Sequence, residues 1–214
     1  TFQEGCENDA VWGSVRSSIP EGTKSAPSIT SMGITWTSNH PATNDITTGS
    51  GAAKTGNWGI YDPDHGVATG TPVQCNLETP PPECFFHDGV SGTKEPGGGS
   101  LHGVGGWIRT STPPARINFI LDGTTVEDFE AIELDTTFLF FGVIDTNGFN
   151  SFEIRETEGA VEDEKFIFAD DFTFGKLTDP NPSITNPEII GSWGSGIWYW
   201  DATASLFTNM TELT

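Results

Sequence analysis

Short segments in the second half of the chain alternate between apolar and polar residues, with turn residues between them. In 116–121 three apolar residues spaced two apart share one parity, and the Asp122-Gly123 pair that follows is typical of a tight turn. The run 138–144 is continuously apolar, short and interrupted by a glycine, which favours a central sandwich strand over a helix. These patterns predict a half-buried strand followed by a central one.

A turn signal at 145–148 follows the central strand. It contains the Asn-Gly pair that a tight primed turn favours. After it, 149–155 alternates, with Phe152 and Ile154 on the inward parity and charged residues on the outward one. The sequence therefore predicts a β-hairpin whose two strands are joined at 145–148.

The segment 166–174 is predicted to be a core strand because its phenylalanines share one parity. They are Phe166, Phe168, Phe172 and Phe174. Asp170 falls on the same parity, so a regular strand would direct its carboxylate toward the apolar layer and that of Asp171 away from it. A bulge would reverse this expectation.

The first half of the chain has fewer regular patterns. Segment 28–37 predicts a strand with a bulge at Gly33, and 39–106 reads as long loops with short strands at 58–61 and 106–109. The chain has 26 glycines and 14 prolines among 214 residues, which disfavours helices. We therefore predict an all-β, jelly-roll-like β-sandwich with long loops and a C-terminal strand-like extension.

Proline spacing divides the chain. We predict a sandwich domain over 1–176, a Pro-rich linker over 177–189 and a Trp-rich segment over 190–214. The last segment is too short to form a domain alone, so it should pack on the sandwich or on a neighbouring subunit. Its candidate assembly residues are Trp193, Trp198 and Trp200.

The charge of the chain limits its partners. With 30 Asp+Glu against 9 Lys+Arg, the formal net charge is −21, which excludes the phosphate neutralisation on which nucleic-acid binders depend. No apolar run reaches the length of about 18 residues that a membrane span needs. We therefore expect no nucleic acid and no membrane insertion, and a glycan, extracellular matrix or further copies of the chain as partner.

Cysteine spacing bears on the cellular compartment. Cys75 and Cys84 bracket a Pro-rich loop that a disulfide could close, which leaves Cys6 over. A disulfide implies an exported protein, so we predict that the chain is secreted or displayed at the cell surface. The alternative is three unpaired thiols.

Acidic residues suggest a cation site. Between residues 122 and 175 only Arg155 and Lys165 are basic, so Ca²⁺ is an economical counter-ion for an inward Asp170, with Asp171 beside it. Asp62 and Asp64, with a proline between them, form a second candidate pair of oxygen ligands. The alternative is that Asp170 and Asp171 form a bulge and cap backbone N–H groups at the rim of the sheet.

Exposed aromatic residues in the loop-rich half could bind sugar rings. The candidates are Trp58, Tyr61 and Trp107, whose ring faces suit the C–H face of a pyranose. The alternative is that these residues belong to the core. No nucleophile elbow or zinc spacing is present, and carboxylate pairs carry little information in so acidic a chain, so we expect no enzyme and rank a glycosidase last.

Segment 138–154, closed by 168–175, resembles the C-terminal half of lectin-like β-sandwich domains in exported bacterial proteins of the PEP-CTERM-sorted type. Segment 29–36 is similar to the early strand of the same group. The resemblance implies a secreted jelly-roll-like sandwich, often with a bound Ca²⁺, for which Asp170 or Asp171 would be the matching residue.

These expectations lead to two hypotheses. The first is a non-catalytic, extracellular, Ca²⁺-stabilised β-sandwich module that attaches to a glycan or matrix at a surface. The alternative is a structural subunit of an extracellular filament or surface layer, which assembles through its C-terminal strand at a neighbour's sheet edge.

Overall fold

The computed structural model describes residues 1–17, 22–39, 45–63, 88–126, 132–157 and 166–176, together with the backbone of three strands beyond residue 187. One helical turn, α1 (Asp9–Trp12), and two 3-10 turns accompany the strands. The strands are β1 (Phe2–Glu4), β2 (Arg16–Ser17), β3 (Ile29–Ser31), β4 (Ile34–Ser38), β5 (Thr47–Gly49), β6 (Gly59–Tyr61), β7 (Gly89–Lys94), β8 (Leu101–Thr110), β9 (Ala115–Leu121), β10 (Thr124–Thr125), β11 (Ile132–Leu134), β12 (Leu139–Phe149), β13 (Ser151–Glu156), β14 (Ile167–Gly175), β15 (Glu188–Trp193), β16 (Gly196–Asp201) and β17 (Leu206–Asn209).

The strands form two sheets. The ten-stranded large sheet has the order β17-β16-β15-β12-β8-β14-β6-β5-β2, with β1 paired to β14. The seven-stranded small sheet has the order β10-β9-β13-β7-β4-β3, with β11 paired to β9. The predicted all-β sandwich is therefore confirmed. Within the described residues, no helix has the length and apolar character that a membrane span requires.

Aromatic side chains fill the space between the sheets. Trp36 of the small sheet lies with its ring centroid 4.8 Å from that of Phe172 and 5.9 Å from that of Phe174, both on the large sheet. Phe152 of β13 closes the cluster at 5.6 Å from Trp36. All four residues are almost fully buried, so they contribute strongly to the apolar area removed from water.

The parity predicted for 166–174 holds for only part of the strand. Phe172 and Phe174 face the core, whereas the pairing of β14 with β8 shifts register between Asp170 and Thr173. Asp171 has a positive φ of 48°, as the extra residue of such a bulge requires. The bulge places Phe168 and Asp170 on the opposite face from Phe172. The prediction that the Asp170 side chain points toward the core is therefore wrong.

The hairpin predicted at 145–148 is also wrong. Residues 139–149 form the single strand β12, which pairs with β8 on both sides of a register shift between Ile144 and Phe149. Strand β13 lies in the small sheet, so the chain changes sheets near Asn150 instead of turning back on itself. Pairing with β8 and β15 makes 145–148 a bulge within one strand.

Two other turns show what local signals specify. Asp122 and Gly123 both have positive φ and join β9 to β10 as predicted. Met32 and Gly33 also have positive φ and join β3 to β4 as a hairpin, where the sequence predicted one strand with a bulge. The predicted inward positions of β13, Phe152 and Ile154, are confirmed as buried.

The C-terminal strands extend the large sheet. Strand β15 pairs antiparallel with β12 over Phe141–Ile144, and β16 and β17 follow outward in order. Residues 177–187 of the predicted linker lie outside the described residues, and residues 188–189 belong to β15. The C-terminal segment thus pairs with the sheet of its own chain.

Candidate functional site

The outer face of the large sheet, directed away from the small sheet, carries the candidate site. On β8 the core-facing residues Val104 and Ile108 are buried, whereas Trp107 and Arg109 alternate with Ile108 and are partly exposed. On the neighbouring β14, Phe168 lies opposite Arg109. These positions bring apolar rings and a cation to the side of the sheet that the small sheet does not cover.

Several aromatic rings contact one another on this face. The centroid of Phe168 lies 5.6 Å from that of Tyr61 on β6 and 6.0 Å from that of Phe166. The ring of Phe140 on β12 lies 5.8 Å from that of Trp107 in an edge-to-face arrangement. We call this surface the aromatic face; its rings are those of Tyr61, Trp107, Phe138, Phe140, Phe166 and Phe168.

Two glycines allow these rings to lie close to the sheet. A Cβ at Gly105 would stand 2.6 Å from Cζ of Phe140, and a Cβ at Gly49 would stand 2.9 Å from Cε1 of Tyr61. Both distances are shorter than carbon atoms tolerate. A side chain at either position would push the ring off the sheet, so the glycines help to shape the aromatic face.

Two cations accompany the rings. The Lys54 ammonium lies 4.7 Å from the centroid of the Trp107 ring. The Arg109 guanidinium carbon lies 4.5 Å from the centroid of Phe168 and 5.1 Å from that of Phe138. Partial burial lowers the pKa of the Arg109 guanidinium below its ordinary value.

Asp170 holds the loop that presents Lys54. Its Oδ2 accepts the backbone N–H groups of Lys54 at 2.7 Å and Thr55 at 3.1 Å, and its Oδ1 accepts that of Asp171 at 2.7 Å. The side chain is fully buried, and desolvation raises the pKa of the Asp170 carboxyl to about 6, although these hydrogen bonds oppose the rise. This buried carboxyl therefore ties the Lys54 loop to the outer face.

The same contacts bear on the calcium prediction. Three N–H groups point at the two Asp170 oxygens, and Asp171 Oδ2 accepts the Thr55 hydroxyl at 2.8 Å, so this arrangement fits backbone capping and does not fit a Ca²⁺ cage. Within the ranges described above, no group of three or more His, Cys, Asp or Glu side chains could hold a metal ion. Calcium binding elsewhere in the chain stays a prediction.

The second acidic pair lies partly outside the structure. Asp62 is buried near Asp88 and Glu156, and Asp64 lies outside the described residues. Desolvation, followed by the nearby charge of Asp62, raises the pKa of the Asp88 carboxyl well above its usual range. Asp88 accepts the backbone N–H groups of Gly89 and Ile167, each at 2.7 Å, and so links β7 to β14.

The three predicted sugar-binding aromatics do not come together as a set. Tyr61 and Trp107 both lie on the aromatic face, on β6 and β8. Trp58 packs against the core, and the guanidinium carbon of Arg16 lies 4.5 Å from its ring centroid. The sequence reasoning missed Lys54 and Arg109; the position of Arg109 two residues after Trp107, on the same parity, was the available signal.

The remaining predicted residues are only partly described. Cys75 and Cys84 lie outside the described residues, and Cys6 is buried and free. In the backbone pairing of the C-terminal strands, Trp193 lies opposite Gly196, Trp198 opposite Gly191 and Trp200 opposite Phe207.

No family model and no curated protein matches the chain. A solved structure with a similar arrangement is the carbohydrate-binding module TmCBM61 in complex with β-1,4-galactotriose; its TM-score is 0.39 at 8% sequence identity, and the match covers 81% of this chain and 99% of that one. Membership of the exported lectin-like group stays a prediction.

Proposed function

We propose that this chain is a non-catalytic, extracellular β-sandwich module that binds a glycan through its aromatic face. The observation that carries the proposal is the partly exposed Trp107 ring, which lies on the outer face of the large sheet beside Phe140 and beneath Lys54. A partly exposed indole on a sheet offers an apolar surface of the kind on which sugar rings stack.

Lys54 must leave the Trp107 ring when a sugar stacks there. The Lys54 residue is exposed, and a cation over an aromatic ring at an exposed site contributes only about 0.5–1 kcal/mol. Displacement therefore costs little, and the ammonium remains close enough to bond a ligand oxygen. The ligand thus displaces the Lys54 side chain from the Trp107 ring.

Polar groups near the rings could bond sugar hydroxyls. Thr173 lies on the same face, opposite Gly105, and contacts Gln3. Thr55, on the loop that Asp170 holds, contacts Asp171. A few polar groups beside an apolar platform are typical of sites that orient a small ligand.

The burial of Asp170 supports the absence of catalysis. Its pKa of about 6 would suit a general acid, but its side chain is fully buried and both oxygens accept backbone N–H groups. A glycosidic oxygen on the aromatic face could not reach it without opening the Lys54 loop. The extracellular placement is supported by the sequence, through the predicted Cys75–Cys84 disulfide.

Trp107→Ala tests the proposal on an array of plant, bacterial and animal polysaccharides. The matched control is Met32→Ala, which removes an apolar side chain that is 59% exposed at the β3–β4 turn of the small sheet. We expect the parent chain and the control to bind the same glycans, and Trp107→Ala to bind them roughly tenfold or more weakly. Equal binding by Trp107→Ala, or no binding by the parent chain, would contradict the proposal.

A further inference from the structure

Cations are scarce in this chain, so their placement is informative. Only 9 Lys+Arg accompany 30 Asp+Glu. Each of the three arginines other than Arg109, all within the described ranges, forms an ion pair with a carboxylate. These pairs are Arg16 with Asp9, Arg116 with Glu133 and Arg155 with Glu153.

Arg109 differs from these three arginines. Among the described lysines, Lys94 and Lys176 donate to backbone carbonyl oxygens, whereas Lys54 lies over an aromatic ring. In the part of the chain that the structure describes, neither Arg109 nor Lys54 forms an ion pair with a carboxylate. Arg109 donates hydrogen bonds to the backbone carbonyl oxygens of Gly51 and Thr110 and otherwise lies against aromatic rings. Among the described residues, these two of the nine basic side chains thus lie on the aromatic face with no carboxylate in an ion pair.

An anionic ligand would complete this arrangement. A guanidinium has five N–H donors. Arg109 uses one on each terminal nitrogen for a neutral carbonyl oxygen, so further N–H groups are available to a ligand. Charge-assisted hydrogen bonds to a carboxylate are about twice as strong as neutral ones, and the planar fork of arginine matches a carboxylate in two parallel bonds. Lys54 adds a second, movable positive charge beside Trp107.

Arg109 and Lys54 lie close enough to Trp107 to belong to one site. Trp107 and Arg109 lie two residues apart on β8, so their side chains leave the sheet roughly 7 Å apart on the same face. Lys54 lies over the first of them. A chain of sugars lying on Trp107 therefore passes within reach of both cations.

We infer that the ligand of the aromatic face is an acidic polysaccharide, whose uronate carboxylates pair with Arg109 and Lys54 while a sugar ring stacks on Trp107. This inference rests on the proposed function and names the chemical class of its ligand. Asp170, which lies opposite Trp107, opposes an anionic ligand only weakly because its carboxylate is buried and accepts three N–H groups, and the neighbouring Asp171 carboxylate accepts the Thr55 hydroxyl.

The net charge of −21 would repel a polyanion only at long range. At physiological ionic strength, exposed charges are largely screened beyond about 8 Å. Contact between a uronate and the two cations takes place within that distance. Binding should therefore weaken at very low ionic strength, where the repulsion between the whole chain and the polyanion extends further.

The test compares the full chain on four immobilised probes: polygalacturonate, the same polymer methyl-esterified, β-1,4-galactan and dextran sulfate. Methyl esterification removes the carboxylate charge and keeps the sugar backbone. We expect polygalacturonate to bind at least tenfold more tightly than its methyl ester and than galactan. Dextran sulfate is expected to bind more weakly than polygalacturonate, because the described residues of the site offer one guanidinium fork and one ammonium, which match a planar carboxylate better than a densely sulfated chain.

Three variants test which cations bind the carboxylates of the ligand. Arg109→Gln and Lys54→Gln should each weaken polygalacturonate binding about threefold to tenfold, and Arg109→Lys should fall between the parent and Arg109→Gln. The control is Arg116→Gln, an arginine of the small sheet that should leave binding unchanged. Lys54 is exposed, so its variant keeps the test decisive if substitution of Arg109 impairs folding.

The outcomes separate the inference from the proposed function. Equal binding to polygalacturonate and its methyl ester, tighter binding to galactan or dextran sulfate, or unchanged binding by both Arg109→Gln and Lys54→Gln would overturn the inference. Binding of a neutral glycan that Trp107→Ala abolishes would leave the proposed function standing. Failure to bind any of the four probes overturns the inference, and the wider array then decides the proposed function.

Discussion

Asp170 and Trp107 lie opposite each other on the neighbouring strands β14 and β8, and the loop that Asp170 holds carries the Lys54 that covers the Trp107 ring. A bulge at Asp171 makes this possible, because it turns the Asp170 side chain to the outer face. One buried carboxyl therefore supports both the local backbone and the candidate site.

The hydrogen bonds of Asp170 should contribute measurably to stability. Asp170→Ala would leave the backbone N–H groups of Lys54 and Thr55 without their acceptor, and we expect the free energy of unfolding to fall by about 2–4 kcal/mol. Urea denaturation measures this change. Asp145→Ala is the control, since Asp145 accepts one N–H at an exposed bulge and its loss should cost less than about 1 kcal/mol. Equal losses would contradict the role given to Asp170.

The raised pKa of Asp170 predicts a pH dependence with a definite sign. Its carboxyl has a pKa of about 6 in the folded chain, against about 3.9 for an unfolded aspartate, so between these values the folded state binds more protons. The Asp170 contribution to the free energy of unfolding should therefore fall as pH rises from about 4 to about 6 and stay constant above that.

Asp170→Asn lacks this titration and isolates it. Urea denaturation of both proteins across this range should show the parent losing stability relative to Asp170→Asn as pH rises. Other carboxyls, including the buried Asp88, are common to both proteins and cancel in the difference. A relative gain for the parent over the same range would show that the Asp170 pKa is lowered instead.

Gly105 should be needed for the position of Phe140. Gly105→Ala would place a Cβ 2.6 Å from the Phe140 ring and 2.9 Å from the Phe141 carbonyl oxygen, so we expect a loss of about 1–3 kcal/mol in the free energy of unfolding. Gly103→Ala is a matched control on the same strand, because its Cβ would meet no atom closer than 3.6 Å. Equal tolerance of both substitutions would contradict this account.

The C-terminal strands should protect the edge of the large sheet. Removal of residues 188–214 would leave the backbone groups of β12 along Phe141–Ile144 unpaired on one side. We expect the full chain to be monomeric and the truncated chain to associate through this edge, as measured by light scattering after size-exclusion chromatography. Large assemblies of the full chain that disappear on truncation would instead favour the filament hypothesis.

Calcium binding is tested by comparing the melting temperature in CaCl₂ and in excess chelator. If the chain binds Ca²⁺ as the sequence predicts, calcium should raise the melting temperature. Because both Asp170 oxygens accept N–H groups, Asp170→Asn should show the same calcium-dependent rise as the parent. No rise in the parent would contradict the calcium prediction, and a rise lost only in Asp170→Asn would show that Asp170 binds the ion.

The alternation of buried and exposed side chains within a single strand was predictable, because it depends only on residues two positions apart in the sequence. The buried Ile117 and Phe119 of β9 and the turn at Asp122-Gly123 follow directly from this spacing. Tyr61 and Trp107 were identified as candidates from residue type alone. Both expectations involve the chemistry of a residue or its closest neighbours in the chain, which the sequence specifies.

Strand partners and bulges were not predictable in the same way. The Asn-Gly pair at 145–148 carries a hairpin signal, yet pairing with β8 and β15, strands distant in sequence, keeps it within β12. The bulge after Asp170 reverses the side of the sheet that its carboxylate faces; the sequence offered it only as an alternative, because the register of pairing with β8 decides it. Lys54, Trp107 and Arg109 meet for the same reason: the order of strands and a buried carboxyl bring together residues that the sequence separates.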